Sequence, residues 1–303
     1  MKIIDEADLV PTDIVLEIGP GLGALTNYMV GMAGKVIAVE KDDQLVENLK
    51  SVFADALEKG TFDLIHGDAL EFDPEILRFY FQDNQTAASL ASSQLPARSD
   101  AKFDSQPTGS FAGSENLQAR PQSERADVNS YKLIANIPYY ITGAIIEKFL
   151  STSFQPKLMV LLVQKEVAER IVAKDKKTGG LGKESILSIA VKAYGNPYYI
   201  STVRAGSFVP APSVDSAIIA IQDISRAHFK NAHHEQVFFQ VMKAGFAHKR
   251  KTLSGNLKNI LDPEIVSSAM SAAGLRPAAR AEDVHIEQWR ALASVVYTKQ
   301  YES

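Results

Sequence analysis

The sequence predicts an α/β fold: a doubly wound, mostly parallel sheet with an antiparallel last strand, followed by a small all-helical domain. Three observations predict it. Apolar runs at residues 14–18, 36–39 and 62–65 alternate with amphipathic helical spacing, and parallel neighbours need such helical crossovers. The first run ends in Gly19-Pro20-Gly21-Leu22-Gly23, a turn suited to a strand–helix junction. From about Ile224 onward the periodicity is helical throughout.

Taken in order, Ile-Val-Leu-Glu-Ile at 14–18 reads as a strand, and Leu25, Tyr28, Met29 and Met32 recur at helical spacing after it. The run at 36–39 ends at Glu40, and Leu45, Leu49, Val52, Phe53 and Leu57 mark one amphipathic helix. Residues 62–65 form a third strand, closed by Gly67-Asp68-Ala69. Residues 83–129 are rich in Ser, Gln, Ala, Pro and Asn with few large apolar side chains; they predict a disordered insertion, because they cannot bury enough surface to offset their ordering entropy. Order resumes with a buried strand at 132–135 that ends in Asn136-Ile137-Pro138-Tyr139-Tyr140, and Ile145, Ile146, Phe149 and Leu150 carry the next helix. A strand at 158–163 is followed by a helix at 165–173 and a polar tract at 174–183, whose Lys174, Lys176 and Lys177 form a possible basic patch. Residues 198–203 and 217–221 read as closing strands; with only a loop between them they pair antiparallel. Val237, Phe238, Val241, Met242 and Phe246 lie on one later helix, and Trp289, Leu292, Val295 and Val296 on the last. Two domains result: 1–223 with its insertion, and 224–303.

Composition narrows the chemistry. The 303 residues contain no Cys, which excludes disulfides, thiolate nucleophiles and thiolate metal sites. No metal is expected, since His233-His234 has no spaced partner and reads as an exposed helix start. Without a long apolar run or a secretory-type start, the expectation is a cytoplasmic protein with no membrane partner. The net charge of −4 conceals an asymmetry: residues 1–150 hold 12 Lys+Arg against 23 Asp+Glu, residues 151–303 hold 20 against 13. Five of the six His also fall in the second half, so that end is suited to a polyanion.

The candidate ligand site lies along successive strand ends. The glycine turn, with Glu17, Gly19 and Gly21, lacks the full Gly-x-Gly-x-x-Gly spacing and the Lys-Ser/Thr of a phosphate loop, which disfavours nicotinamide and triphosphate cofactors. Glu40, some 20 residues on, can accept hydrogen bonds from both ribose hydroxyls. Asp68, with Ala69 beside it, is placed to accept from an adenine amino group. Together these acids describe an adenosine site at the carboxyl edge of the sheet. Asn136-Ile137-Pro138-Tyr139 adds a reaction. The amino group of adenine is a poor nucleophile, and an Asn oxygen with the carbonyl preceding Pro138 supplies two acceptors that draw it towards tetrahedral geometry. Pro138 stiffens their presentation, and Tyr139 offers a face for an unstacked base. The competing reading is an Asx turn with Tyr139 and Tyr140 as core aromatics.

The sequence resembles the ribosomal RNA adenine dimethyltransferase family acting near the 3′ end of small-subunit RNA. The residues that carry the resemblance are Leu16-Glu-Ile-Gly-Pro-Gly-Leu-Gly23, Glu40, Gly67-Asp-Ala69, Asn136-Ile-Pro-Tyr139, Phe208-Val-Pro-Ala-Pro-Ser-Val-Asp-Ser216 and Phe246-Ala-His-Lys-Arg-Lys-Thr-Leu253, in order over nearly the whole chain outside the insertion. It implies a Rossmann-like class I methyltransferase domain and S-adenosyl-L-methionine bound by Gly19, Glu40, Asp68 and Asn136. It also implies that residues 136–139 hold the target adenine and that Phe208 helps sandwich it. Lys249, Arg250 and Lys251 are then RNA phosphate contacts; taken alone, the same cluster could equally balance a helix C-terminus. The expected partner is small-subunit rRNA in an immature small ribosomal particle, approached by a monomer. Family members normally begin with a basic segment and a Gly-Gln-Asn/His-Phe-Leu motif over the methionine end of the cofactor, whereas this chain starts close to its first strand. The resemblance therefore predicts a site without that lid in these 303 residues. Two alternatives stay open: a large-subunit rRNA adenine methylase conferring antibiotic resistance, and a catalytically weak rRNA-binding assembly factor.

Overall fold

The strand at Ile14–Ile18 (β1) is buried along its whole length and takes a central place in the sheet, as a run buried on both faces must. It pairs in parallel with β2 (Lys35–Glu40) on one side and with β4 (Tyr131–Asn136) on the other. β3 (Phe62–His66) extends the sheet beyond β2, and β5 (Leu158–Gln164) extends it beyond β4. β7 (Ser216–Gln222) runs antiparallel between β5 and β6 (Asn196–Val203), giving the order β3-β2-β1-β4-β5-β7-β6. The expected antiparallel pair is present. Its arrangement follows from burial: β7 is apolar and enclosed, whereas β6 carries Pro197 and an exposed Tyr198 and lies at the edge.

This computed structural model describes residues 1–81, 130–173, 182–208 and 212–301. The insertion read at 83–129 and the basic patch at Lys174, Lys176 and Lys177 lie outside these residues. Two compact units are formed, Met1–Pro74 with Ser130–Ser303, and Glu75–Asn129. In the described part of the second, the Arg78 guanidinium pairs with Glu75.

Helices cover the sheet of the first unit. A helix that periodicity did not reveal, α1 (Lys2–Ala7), buries Ile3, Ile4 and Ala7. Its C-terminal carbonyls, Ala7 O and Asp8 O, accept hydrogen bonds at 2.9 and 2.7 Å from Lys132 Nζ, a cation where the helix dipole favours one. The same ammonium reaches Asp13 Oδ2 at 2.7 Å. Burial alone would raise the Asp13 carboxyl; hydrogen bonds from Lys132, Val10 N–H and Lys157 outweigh it and hold the group below its ordinary range.

α2 (Thr26–Met29) ends before Met32, and the single helix expected from Leu45 to Leu57 is two, α3 (Asp43–Val52) and α4 (Ala54–Glu58), divided at Phe53. At the division the Phe53 ring packs against the glycine turn: a Cβ on Gly23 would stand only 2.5 Å from it. α5 (Thr142–Ser151) and α6 (Lys165–Val172) match the expected helices. α7 (Ile186–Tyr194), opened by a capping box of Ser185 and Ser188, has no counterpart in the sequence reading.

After β7 every α or β element is a helix: α8 (Ala232–Gly245), α9 (Leu253–Leu257), α10 (Pro263–Ala272) and α11 (Ile286–Tyr301). They enclose a core around Trp289, Leu292, Phe238 and Val241. Arg226 ties this bundle to the C-terminal end of α5, pairing with Glu235 at 3.0 Å and donating to the carbonyls of Ser151 and Thr152. His233 is exposed, but His234 is buried behind the Asn231 cap and only half fits the exposed helix start expected of the pair. Among the described residues no helix is long and apolar enough to cross a membrane, and no group of three or more His, Asp or Glu could hold a metal ion.

Candidate active site

The strand order reverses between β1 and β4, and open parallel sheets bind ligands outside the carboxyl ends of strands at such a reversal. Two of the three candidate acids and the Asn belong to this edge with the glycine turn: Gly19 follows β1, Glu40 ends β2, Asp68 follows β3 and Asn136 ends β4.

The glycine turn is shaped by positive backbone angles, φ +64° at Gly19 and +59° at Gly21. A Cβ on Gly21 would meet nothing within 4 Å, so the loop has open space above it. Gly21 N–H donates to Glu40 Oε2 at 3.2 Å, which ties the turn to the end of β2.

Glu17 points away from that space. It is buried, and its Oε2 accepts the Thr26 hydroxyl at 2.6 Å, which joins β1 to the start of α2 beneath the turn. Burial pushes its carboxyl up to about 8; the Thr26 hydrogen bond opposes the shift and the Glu40 charge adds to it.

Glu40 Oε1 accepts the N–H groups of Lys41 and Asp42 at 2.8 and 3.0 Å, which fixes the carboxylate at the strand end. Asp68 Oδ1 accepts Leu70 N–H at 2.8 Å, while Oδ2 pairs with Lys41 Nζ at 2.8 Å. The Lys41 hydrogen bond and the Leu70 N–H hold the Asp68 carboxyl below its ordinary range. Ala69 beside it is buried.

Asn136 and Pro138 are exposed at the end of β4, while Ile137 is buried and donates its N–H to Leu162 O at 3.2 Å. Tyr139 and Tyr140 open a 3-10 turn (Tyr139–Ile141). Neither is a core aromatic: Tyr139 is half-buried and Tyr140 is 88% exposed. The Tyr139 hydroxyl lies 2.9 Å from Ser216 Oγ at the start of β7. Phe208 is half-buried against the core, directly after the 3-10 turn Ala205–Ser207.

The basic residues Lys249, Arg250 and Lys251 are all exposed beyond the end of α8, and none pairs with a described acid. Their turn is anchored from below: buried Asn256 donates to Gly245 O at 2.6 Å and to His248 O at 3.1 Å. A groove of about 1020 Å³ runs between α5, α7 and α8, with Lys249 and Lys251 on its margin; it includes neither the glycine turn nor Asn136.

Sequence reasoning missed Thr26, Lys41 and Asn256. Thr26 and Asn256 act through contacts 9 and 11 residues away in the chain. Lys41, next to Glu40, pairs with an acid 27 residues on and carries no motif of its own.

The sheet order and the acids at successive strand ends define the class of Rossmann-like methyltransferases with an appended helical domain. Two solved structures have the same fold: the 23S rRNA methyltransferase ErmE, at TM-score 0.63 and 21% identity over 97% of this chain and 94% of that one, and a dimethyladenosine transferase from Plasmodium falciparum, at 0.64 and 23% over 98% and 94%. The family model of ribosomal RNA adenine dimethylase matches residues 1–297, and the chain belongs to that family. Curated relatives named ribosomal RNA small subunit methyltransferase A include one from Dehalococcoides mccartyi strain CBDB1, 38% identical over 96% of this chain and 81% of the relative. Another, from Pelotomaculum thermopropionicum, is 35% identical over 96% and 84%.

Proposed function

We propose that this protein uses S-adenosyl-L-methionine to dimethylate N6 of two adjacent adenines near the 3′ end of small-subunit rRNA, within an immature small ribosomal particle. The observation that carries the reading is the gathering of Gly19, Gly21, Glu40, Asp68 and Asn136 at one sheet edge beside Tyr139. The fit to the cofactor rests on that edge: an open space over Gly21, a fixed carboxylate at Glu40 for two ribose hydroxyls, and an amino-group acceptor at Asp68. Glu17 supports the turn from below and Ala69 packs beneath the adenine side. When bound, S-adenosyl-L-methionine supplies the methyl group together with a neutral thioether leaving group.

The chain's own residues prepare the nucleophile. Asn136 Oδ1 and the Ile137 carbonyl accept the two N6 hydrogens and turn the nitrogen lone pair out of the ring, and Pro138 limits their movement. Tyr139 and Phe208 hold the unstacked base between them. No strong base is required, because the alkylated amine is acidic enough to release its proton to water. Residues 224–303 present Lys249, Arg250 and Lys251 to RNA phosphates. The protein acts as a monomer in the cytoplasm. Relatives named for the small subunit, one of them 38% identical, favour this substrate over the large-subunit RNA of the 21% identical ErmE.

The test is methyl transfer to unmethylated small subunits, with nucleosides read by mass spectrometry. Wild type yields dimethyladenosine, and Asn136→Ala loses at least roughly 100-fold in rate with its unfolding midpoint unchanged. Full activity in Asn136→Ala overturns the mechanism, modification of large-subunit RNA alone overturns the substrate, and tight particle binding without transfer identifies an assembly factor.

A further inference from the structure

Asp215 and Ser216 sit where β7 begins, outside every role described above. Lys165 N–H donates to Asp215 O at 3.0 Å, which carries the β5–β7 ladder one residue beyond Ser216 and fixes the backbone of both residues. Side chains of consecutive residues in extended backbone leave in opposite directions, so this dipeptide can brace two different loops. Ser216 is 1% exposed, and its Oγ is 2.9 Å from the Tyr139 hydroxyl. Asp215 Oδ1 accepts Ala205 N–H at 3.0 Å, and Ala205 opens the turn that leads into Phe208. Phe208 N–H closes that turn on Ala205 O at 3.2 Å.

We propose that Asp215 and Ser216 are positioning residues that set the two walls of the base-binding slot, Ser216 through Tyr139 and Asp215 through the Ala205–Ser207 turn and Phe208. The proposal rests on the reading that Tyr139 and Phe208 sandwich the target adenine. Tyr139 opens the 3-10 turn Tyr139–Ile141, where Ile141 N–H meets Pro138 O at 3.2 Å, and among the described residues its hydroxyl hydrogen-bonds to Ser216. That bond tethers the ring at its far end. A base acquires an attacking geometry only if its platform does not shift, and a displacement of about 1 Å can cost on the order of 100-fold in rate.

The experiment is a double-mutant cycle on the full chain with small ribosomal subunits as substrate. Ser216→Ala and Tyr139→Phe each remove one end of the hydroxyl pair, and each is expected to lower kcat by roughly 10- to 100-fold with S-adenosyl-L-methionine affinity unchanged. The double variant is expected to be no worse than either single one. Ser216→Thr, which keeps the hydroxyl, is expected to regain most of the rate. Asp215→Ala, which removes the acceptor for the Ala205 N–H, is expected to show a similar kcat loss that adds to that of Ser216→Ala, because the two act on different walls. An oligonucleotide carrying 2-aminopurine at the target position is expected to lose its stacking-dependent fluorescence quenching in Ser216→Ala. Wild-type kcat in Ser216→Ala, or full additivity of Ser216→Ala with Tyr139→Phe, overturns the proposal while an inactive Asn136→Ala leaves the functional reading standing. A wild-type chain that transfers no methyl group overturns both.

Discussion

Lys41 Nζ and Asp68 Oδ2 stand 2.8 Å apart at the end of the sheet, so the carboxylate assigned to the adenine amino group already has a cationic partner. The pair is exposed on the Lys41 side and half-buried on the Asp68 side. Entry of an adenine must share or displace that ammonium. Lys41→Met is expected to tighten S-adenosyl-L-methionine binding by roughly 1.5- to 5-fold, the range of an exposed ion pair, and to weaken the salt dependence of binding. Isothermal titration at low and high salt measures both; weaker binding in Lys41→Met would show that the ammonium supports the site.

Glu17 makes the stability of the fold depend on pH. Its carboxyl is pushed up to about 8 from an ordinary 4.5. Between those values the unfolded chain binds fewer protons at this position than the folded one, so stability falls as pH rises through the window. One such group contributes a slope of up to about 1.4 kcal/mol per pH unit. Glu17→Gln, neutral at every pH, is expected to flatten the profile between about pH 5 and about pH 8 in denaturant unfolding. Parallel profiles for the two proteins would mean that Glu17 is ionised in the folded state.

Lys132 joins its own strand to the N-terminal segment more than a hundred positions earlier, at the end of α1 and at Asp13. Lys132→Met is expected to destabilise the protein by about 2–4 kcal/mol, because two helix carbonyls lose their donor and a buried carboxylate keeps Lys157 as its cation with the Val10 N–H. Thermal unfolding checks it. The Asp13 carboxyl is held low, so this cluster's contribution is present above 3.8 and is lost as pH falls through the folded value. A variant as stable as wild type at neutral pH would show that the cluster is dispensable.

The basic turn after α8 is expected to govern affinity for RNA and nothing at the sheet edge. Replacing Lys249, Arg250 and Lys251 together by Gln is expected to reduce the slope of log affinity against log salt by about 2–3, one phosphate contact per cation. Cofactor affinity stays constant. Filter binding to small-subunit rRNA over a salt series provides the measurement, and an unchanged slope would remove the turn from the interface.

The sheet and its acids were legible in the sequence because local physics dictates them. An apolar run such as 14–18, short and followed by glycines, reads as a buried strand, the glycine turn marks where it becomes a helix, and acids following such runs then fall at strand ends. The place of Asn136 at a strand end was legible in the same way, whereas the roles of Asn136 and of Lys249 to Lys251 rest on the family resemblance. Tertiary structure alone decided the rest. β7 lies inside β6 because burial of the whole sheet settles strand order, and sequence adjacency does not. The one helix expected over Leu45 to Leu57 is two, divided at Phe53, whose ring lies close against Gly23, 30 positions earlier. Glu17 turned inward to Thr26, Lys41 reached Asp68, and Ser216 met Tyr139 across 77 positions. A hydrogen bond between distant residues leaves no periodicity to read, since its partners are brought together only by the packed chain.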